Sequence, residues 1–225
     1  MIKRIAAILG IFACTCVAWI ILGTSIFYRT DNLEPVLSAR VGSTWGTTQA
    51  QKPPTATYYT DALRRVKVEE DGKKVEKEER YSLAHPVELA SSRVAADFQI
   101  DYRKKGLLWF STYKVAFGGE YTFKNPTGVE EAFTIRLPLP AKQAVYDNLE
   151  LTVDGAPLAL TSSGQDVSAI ARVAPNATAN LKVGYRSQGL DQWSYQFSNG
   201  EEVARINDFH LLVKTNFDGF DFPEN

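Results

Sequence analysis

The chain begins with an apolar run from Ile5 to Tyr28 that contains no charged residue. As a helix, this run would be about 36 Å long, enough to cross a hydrocarbon core of about 30 Å. Lys3 and Arg4 precede the run, and no acidic residue does. The sequence therefore predicts a transmembrane helix over Ile5–Tyr28. Because basic residues beside a span favour the cytoplasmic side, we expect residues 1–4 in the cytoplasm and the residues after Tyr28 on the far side of the membrane.

Two other kinds of targeting segment begin in a similar way. A cleaved signal peptide has an apolar core of about 7–15 residues that ends at small residues. This run is longer and ends in the bulky tripeptide Ile26–Tyr28. A lipoprotein signal would carry its lipid on Cys14, but Phe12 is large for that motif and the apolar run continues beyond it. We therefore favour a retained anchor, with Trp19 and Tyr28 at the membrane interfaces.

Both cysteines, Cys14 and Cys16, lie inside the apolar run. The exported part therefore has no intramolecular disulfide, and its stability must come from a buried core. The chain has 44% hydrophobic and 12% aromatic residues, so such a core is feasible. The formal net charge of -1 gives no electrostatic basis for binding nucleic acid, which we do not expect as a partner.

Residues 29–55 are predicted to link the anchor to a folded domain. From Asp31 to Gly46, apolar residues recur at spacings of three and four, which indicates a short amphipathic helix with Pro35 in its first turn. We expect its apolar stripe to pack on the following domain, and a partner-binding stripe is the alternative. The stripe consists of Leu33, Val36, Leu37 and Val41. The two prolines in Gln49–Thr57 favour an extended connector.

Residues 56–225 are predicted to form a β-rich region. Apolar and polar residues alternate in short runs separated by Gly, Asn, Asp and Pro, which is typical of an antiparallel sandwich. We allow for two β units that divide near residue 125. Gly118-Gly119 lies inside one run and predicts a bulge or bend. The main runs are Val94–Tyr102, Tyr113–Phe123, Ala132–Leu139, Asn148–Val153, Pro157–Leu160, Val167–Val173, Ala179–Tyr185, Gln192–Phe197 and Val203–Lys214.

A charged hairpin is predicted near the start of this region. The runs Leu63–Glu69 and Lys73–Leu83 flank Asp71-Gly72, a dipeptide typical of a two-residue turn, and Asn199-Gly200 offers another such turn. Of the 17 residues from Arg64 to Arg80, 13 are charged, seven positive and six negative. Because the signs are balanced, we expect a solvated hairpin rather than a binding site for one kind of polyion.

Two aromatic stretches are candidate contact surfaces. Leu107–Phe110 (LLWF) is unbroken and apolar, and we expect buried packing there, with a surface for lipid or a partner as the alternative. Trp193, Tyr195 and Phe197 alternate along one later run. If the sandwich holds a small ligand or peptide, these two stretches are where we would place it.

The sequence predicts no catalytic, cofactor-binding or metal-binding residue. His85 and His210 are the two histidines, and neither has a metal-ligand partner at a usable spacing. Asp218, Asp221 and Glu224 form a carboxylate cluster, but its spacing is not that of a calcium-binding loop. The sequence lacks a nucleophile elbow and a phosphate-binding loop, so we do not expect an enzyme. Asn176-Ala177-Thr178 matches a glycosylation sequon, which matters only in a eukaryotic secretory route.

Two stretches after the apolar run resemble the CreD family of bacterial inner-membrane proteins. STWGTTQAQKPPTATYY (Ser43–Tyr59) is similar to that family's WG-x-x-Q segment, which leads through a proline-containing connector to the first strand. HPVELASSRVAADFQIDYRKKGLLWFSTYKVAFGGEYTF (His85–Phe123) is similar to its strand, basic-glycine turn and aromatic Tyr-x-Val strand. The order of one helix followed by a β-rich domain also agrees. The resemblance covers about the first 125 residues.

This resemblance implies a bacterial inner-membrane protein with a periplasmic β domain, associated with envelope integrity or stress. It supplies no catalytic residue to transfer. Members of the family continue into several C-terminal membrane helices, whereas no second apolar run of that length follows Tyr28 here, so we expect either an incomplete chain or a single-span relative. We expect a non-enzymatic envelope protein whose partners are the bilayer, through Ile5–Tyr28, and other envelope proteins. A membrane-anchored sensor that binds a ligand or peptide is the alternative.

Overall fold

The computed structural model of the chain describes residues 2–70, 73–105, 108–197, 208–219 and 221. The predicted mainly β fold with one N-terminal apolar helix is confirmed. The elements are α1 (Ile2–Trp45), β1 (Gln49–Gln51), β2 (Thr55–Glu70), β3 (Lys73–Val87), β4 (Leu89–Lys105), β5 (Leu108–Lys124), β6 (Glu131–Pro138), β7 (Tyr146–Val153), β8 (Ala156–Pro157), β9 (Thr161–Ser163), β10 (Asp166–Val173), β11 (Thr178–Leu190), β12 (Trp193–Tyr195) and β13 (Phe209–Thr215).

The helix α1 is continuous over 44 residues, which gives it a length of about 66 Å. Its part Ile2–Arg29 is long and apolar enough to cross a membrane, and none of it is buried against the rest of the chain. The helix predicted from Asp31 is confirmed as helical, but it does not start there: it continues α1 without a break, so the placement of Pro35 in a first turn is wrong. One proline removes one backbone donor, and the neighbouring hydrogen bonds can still hold the helix together. The side chains of the predicted apolar stripe lie outside what the structure describes.

The described strands form two large packed sheets and a small sheet of β1 and β12. The five-stranded sheet has the order β3-β2-β6-β10-β9, and the six-stranded sheet has the order β13-β4-β5-β11-β7-β8. Their facing sides share one hydrophobic core, in which Phe133 and Ile135 of β6 meet Tyr121 of β5 and Leu181 of β11. Strands from before and after residue 125 occur in both sheets, so the two halves of the chain do not form separate sheets.

The alternation seen in the sequence corresponds to burial. Phe133, Ile135 and Leu137 lie on the core side of β6, as predicted, because side chains alternate between the two faces of a strand. Most strand pairs are antiparallel, but β13 lies parallel to β4, and β1 lies parallel to β12. The closing strand is therefore not antiparallel, and the part of it predicted over 203–207 lies outside the described residues.

Several boundaries differ from the predictions. The predicted connector Gln49–Thr57 contains β1 and the start of β2, because its backbone groups find partners on neighbouring segments. The predicted strand Pro157–Leu160 is reduced to the end of β8. The charged hairpin is confirmed and is longer than predicted, with β2 and β3 paired from Ala56 to Glu70. Both predicted turns, Asp71-Gly72 and Asn199-Gly200, lie outside the described residues.

Gly118 and Gly119 do not produce the predicted bulge. Both continue the regular pairing of β5 with β4 and β11. The register shifts instead between Leu89 and Ser91, and on β11 between Gly184 and Arg186. The structure suggests another reason for Gly119: a Cβ placed there would lie 2.5 Å from the ring of Tyr121, which is 1% exposed. The glycine leaves room for that ring over the strand.

These adjacent glycines make a matched pair for mutation. Gly119→Ala should lower the free energy of unfolding by about 1–3 kcal/mol, because the buried ring of Tyr121 must shift. Gly118→Ala should be neutral or stabilising by up to about 1 kcal/mol, since no heavy atom lies within 4 Å of its added Cβ. Urea denaturation of the detergent-solubilised protein, followed by circular dichroism, measures both. Equal effects at the two positions would contradict this role of Gly119.

Candidate functional site

The helix ends at a glycine that is held against the sandwich. Gly46 has a φ of 102° and donates its N–H to the carbonyl of Gly42 at 3.1 Å, which is the hydrogen bond of a left-handed helix cap. A Cβ on Gly46 would lie 2.1 Å from the carbonyl oxygen of Gln188 on β11. Both the conformation and the close approach require glycine, so the position at which the helix meets the sheet is fixed by this residue.

Trp45 packs next to this cap. It contacts Phe110 of β5 and Leu190 of β11, both of which are buried. The guanidinium carbon of Arg103 lies 4.2 Å from the centroid of the Trp45 ring, within the range of a cation–π interaction. The last turn of α1 is therefore seated on the six-stranded sheet rather than joined to it by a loose linker.

Beyond Gly46 the chain enters the sandwich as β1. On one side its backbone bonds to β12 and its neighbours, where Gln49 N–H donates to Gln192 O at 3.1 Å and Gln51 O accepts from Gln196 N–H at 2.8 Å. On the other side Ala50 N–H donates to Pro140 O at 3.1 Å. The segment that follows the helix is thus an inner strand with partners on both sides.

Two glutamines of β1 are completely buried. Gln49 is 0% exposed, and its Nε2 donates to Ser187 Oγ and to the carbonyl of Gln188, both at 2.8 Å. The Oε1 of Gln49 is buried, and no hydrogen-bond partner is found for it in the described part of the chain. The same holds for Nε1 of Trp193, the residue paired with Gln49 in the β1–β12 register.

Gln51 connects the two sheets. Its Nε2 donates to the carbonyl of Pro138, at the end of β6, at 3.2 Å, and to the carbonyl of Lys52 at 2.6 Å. Its Oε1 accepts a hydrogen bond of 2.6 Å from the hydroxyl of Tyr185 on β11. Burial raises the pKa of Tyr185 well above its ordinary value, so this hydroxyl stays protonated and donates at neutral pH. We call Trp45–Gln51 with Tyr185 the helix junction.

Asp191 lies at the edge of the helix junction and is a site of pH dependence. Its φ is 60°, its N–H donates to the carbonyl of Ser111 at 2.9 Å, and partial burial raises the pKa of its carboxyl group. A carboxyl group with a raised folded pKa stabilises the fold below its unfolded pKa, near 3.8. That contribution is lost as the pH rises through the folded pKa.

Asp191→Asn should therefore raise the melting temperature at pH 7, on the order of 1 °C. The amide cannot ionise, and asparagine accepts the left-handed backbone conformation. At about pH 3 the carboxyl group is mostly protonated in both the folded and the unfolded protein, so the difference in melting temperature between variant and parent should disappear. Thermal denaturation at the two pH values measures this. An equal rise in melting temperature at both pH values would assign the effect to the backbone preference of asparagine and not to ionisation of Asp191.

A second feature is an arm that extends from the sandwich. β2 pairs with β6 only over Thr55–Thr57, while residues 58–70 of β2 pair only with β3 within the described chain. These 13 residues span about 43 Å as a strand. Tyr58 and His85 stack at the base of the arm with ring centroids 4.8 Å apart, and Tyr58 packs on Phe133 of the core.

The face of the arm that continues the core side carries an apolar stripe. Tyr81 and Leu83 on β3 lie on this face, opposite Ala62 and Thr60 of β2, and are 39% and 42% exposed. The opposite face carries Tyr59 and Leu63, which are 51% and 63% exposed. A two-stranded ribbon gains little stability alone, and this stripe leaves apolar surface accessible.

A third feature is a trough on the outer face of the six-stranded sheet. Ala95, Gly118 and Gly184 are aligned in register across β4, β5 and β11, so one row of the sheet has almost no side chains. Leu212 of β13 extends the row, and a shallow cavity of about 400 Å³ lies along it. The neighbouring row consists of Arg93, Glu120 and Lys182.

The charged row is partly neutralised within itself. Lys182 Nζ lies 2.8 Å from a carboxylate oxygen of Glu120, and this hydrogen bond lowers the pKa of Glu120. His210 is exposed at the rim of the trough, where it lies opposite Arg93 in the register of β13 with β4. The trough thus combines an apolar floor with charged walls of both signs.

The structure does not bring the two histidines together. His85 lies on β3, where Nε2 is 2.8 Å from Thr60 Oγ1, whereas His210 is on β13 in the other sheet. Asp218 and Asp221 are exposed, and Glu224 lies outside the described residues. Among the described residues, no group of three or more His, Cys, Asp or Glu side chains is placed to hold a metal ion.

Both aromatic stretches, LLWF and the run that contains Trp193, are partly buried. In LLWF, Phe110 is buried at 7% exposure while Trp109, on the other face of β5, is 66% exposed, and Leu107 lies outside the described residues. Trp193 is half-buried and packs edge-on against Phe98 at 5.3 Å. Asn176, the asparagine of the sequon, is exposed in the turn before β11, with a φ of 56°.

No protein-family model and no curated protein matches the chain. Among solved structures, the chain is similar to the crystal structure of a Legionella pneumophila protein provisionally described as a nutrient binding protein. The TM-score is 0.34 and the identity 16%, over 45% of this chain and 39% of that one. This chain thus spans well under half the length of that protein, and a likeness of this size supports no conclusion about fold or ligand.

Proposed function

We propose that the chain is a non-enzymatic, single-pass protein of the bacterial inner membrane, which holds its β-sandwich in the periplasm and presents the arm to another envelope protein. The observation that carries this proposal is the helix junction. An apolar helix with no buried residues in Ile2–Arg29 continues into a cap at Gly46 and two completely buried glutamines. This arrangement suits a rigid stalk between a bilayer and a domain.

The length of the helix supports the same proposal. The 16 residues from Thr30 to Trp45 continue α1 past its apolar part, and they would raise the sandwich by about 24 Å. Lys3 and Arg4 before the apolar part favour a cytoplasmic N-terminus. The resemblance of Ser43–Tyr59 and His85–Phe123 to the CreD family is the reason for proposing the bacterial inner membrane and a role in envelope integrity or stress.

Membrane attachment and topology are tested together. The full chain should remain in the membrane after carbonate extraction, and its N-terminus should be intact. A C-terminal alkaline phosphatase fusion should be active, and a C-terminal green fluorescent protein fusion should be dark after export by the general secretion route. A reporter active only in the cytoplasm, or a mature protein that begins after Tyr28 and is released by carbonate, would overturn the proposal.

The partner-binding role of the arm has its own test. Tyr81→Asp with Leu83→Asp places charges on the apolar stripe, and Tyr59→Asp places one on the opposite face as the matched control. In a deletion strain with a measurable envelope-stress response, the stripe variant should accumulate in the membrane and fail to complement. The control should complement. Full complementation by the stripe variant would exclude the stripe as the binding surface.

A membrane-anchored binding module is the second candidate, and the trough favours it. An apolar floor with charged walls suits a short peptide or small polar ligand better than a flat sheet face does. Gly118→Leu should fill the trough without touching the core, because a Cβ there has open space around it. A ligand that stabilises the parent protein in thermal-shift screening should lose its effect in this variant. A screen with no stabilising ligand counts against this candidate.

A further inference from the structure

The β4–β5 hairpin extends beyond the sandwich at the end where the helix arrives. Pairing of β11 with β5 stops at Leu190 and Thr112, and pairing of β13 with β4 stops at Thr215 and Phe98. Beyond these positions β4 and β5 pair only with each other in the described chain. We call residues 102–105 together with Trp109 the hairpin tip.

The hairpin tip is basic and aromatic. Tyr102 and Trp109 are 56% and 66% exposed, and Nζ of Lys104 lies 5.6 Å from the centroid of the Trp109 ring. Arg103 forms an ion pair with Asp101. For the residues that the structure describes, no ion pair joins Lys104 or Lys105 to a carboxylate, so both lysine charges are available.

The hairpin tip lies close to the end of the helix. Arg103 covers the ring of Trp45, the last residue of α1, so the tip and the helix meet at the same end of the six-stranded sheet. From there β1 enters the sandwich parallel to β12, with Gln49 near Ser187 and Gln51 near Tyr185. The chain therefore runs away from the tip after leaving the helix, which leaves the tip on the membrane-facing end if α1 spans the bilayer.

The distance from the bilayer places the hairpin tip within the range of electrostatic attraction to the headgroups. If the 36 Å apolar run matches a core of about 30 Å, it tilts by about 34° and Trp45 lies about 21 Å above the core. The headgroup layer occupies about 6 Å of this height, which leaves about 15 Å. The two residues of β4 after Arg103 extend about 7 Å. The remaining gap of about 8 Å is close to one Debye length at physiological ionic strength.

We propose that the hairpin tip contacts the anionic phospholipid surface of the bilayer that holds α1; this inference rests on the proposed membrane anchoring. Lys104 and Lys105 supply the attraction, since basic residues near a membrane surface are drawn to anionic headgroups. Tyr102 and Trp109 supply amphipathic rings of the kind enriched at membrane interfaces. The contact sets the orientation of the sandwich relative to the membrane, with α1 and the hairpin tip as two points of support.

The test uses the full chain with Cys14→Ser and Cys16→Ser, reconstituted in vesicles. Ser111→Cys, exposed on β5 beside the tip, carries a bimane label. Lys124→Cys, exposed at the opposite end of the same strand, is the matched control. Quenching by a headgroup-spin-labelled lipid is compared between phosphatidylcholine vesicles and an equal mixture of phosphatidylcholine and phosphatidylglycerol. Flotation of the vesicles verifies anchoring in each sample.

The label at position 111 should be quenched more strongly than the label at position 124, and more strongly in the anionic vesicles. Replacing Lys104 and Lys105 with Gln should lower the ratio of contacting to free protein about fivefold per lysine. High salt should act in the same direction. Equal quenching at the two positions, or no response to the lysine replacements in protein that floats with the vesicles, would overturn the inference and leave anchoring intact. Protein that does not float would overturn the anchoring itself.

Discussion

Gly46→Ala should be among the most damaging single substitutions in the protein, lowering the free energy of unfolding by about 3 kcal/mol or more. The left-handed backbone conformation costs about 1–2 kcal/mol with any Cβ. The φ of Gly46 is 102°. The new methyl group would also lie 2.1 Å from the carbonyl oxygen of Gln188, which is backbone and cannot rotate away. Displacing this carbonyl costs a further ~1–3 kcal/mol.

The damage should begin at the helix junction. In the variant, the backbone amides of Gln49 and Ala50, which are hydrogen-bonded to Gln192 and Pro140 in the parent protein, should exchange with deuterium faster. The helical signal in circular dichroism should persist, because the apolar part of α1 is exposed and does not depend on the sandwich. Gly128→Ala is the control, since a Cβ there meets no heavy atom within 4 Å. If both variants melt alike and the amides of Gln49 and Ala50 exchange as slowly as in the parent protein, the cap does not hold the helix in place.

Sequence patterns predicted the parts of this fold that follow from periodicity. Alternation located β4, β5 and β6, because a strand with one buried face repeats every two residues. Hydropathy and length located the apolar part of α1. The prediction that Pro35 lies in the first turn of a new helix was wrong for a different reason. A proline inside a helix removes one hydrogen bond but does not forbid the helix, so its position alone could not mark a boundary.

The helix junction could not be found in the same way. Gln49 and Gln51 look like surface residues, since glutamine is mostly exposed in folded proteins, and the prolines that follow suggest a linker. Their burial is set by partners at Tyr185 and Ser187, more than a hundred residues away in sequence. The one available signal was the spacing of two, which places both glutamines on the same face of a strand. The parallel pairing of β13 is equally non-local.

The hydrogen bond between Gln51 and Tyr185 allows a second large effect to be measured. Gln51→Leu should lower the free energy of unfolding by about 2–4 kcal/mol, because it leaves the buried Tyr185 hydroxyl and the carbonyl of Pro138 without their partner. Tyr185→Phe should cost about 1–2 kcal/mol, since it leaves Gln51 Oε1 without a donor.

The double variant separates this bond from general loss of packing. If the 2.6 Å hydrogen bond joins the two residues, Gln51→Leu with Tyr185→Phe should cost less than the sum of the single changes by about 1–2 kcal/mol, since both unsatisfied groups are then removed together. Ser162→Ala with Thr161→Ala, two exposed residues of β9, is a pair expected to be additive. Urea denaturation at pH 7 gives all the values. Additivity of the Gln51 and Tyr185 changes would mean that the buried glutamine does not couple β1 to the six-stranded sheet, and the helix would then be held through Gly46 and Trp45 alone.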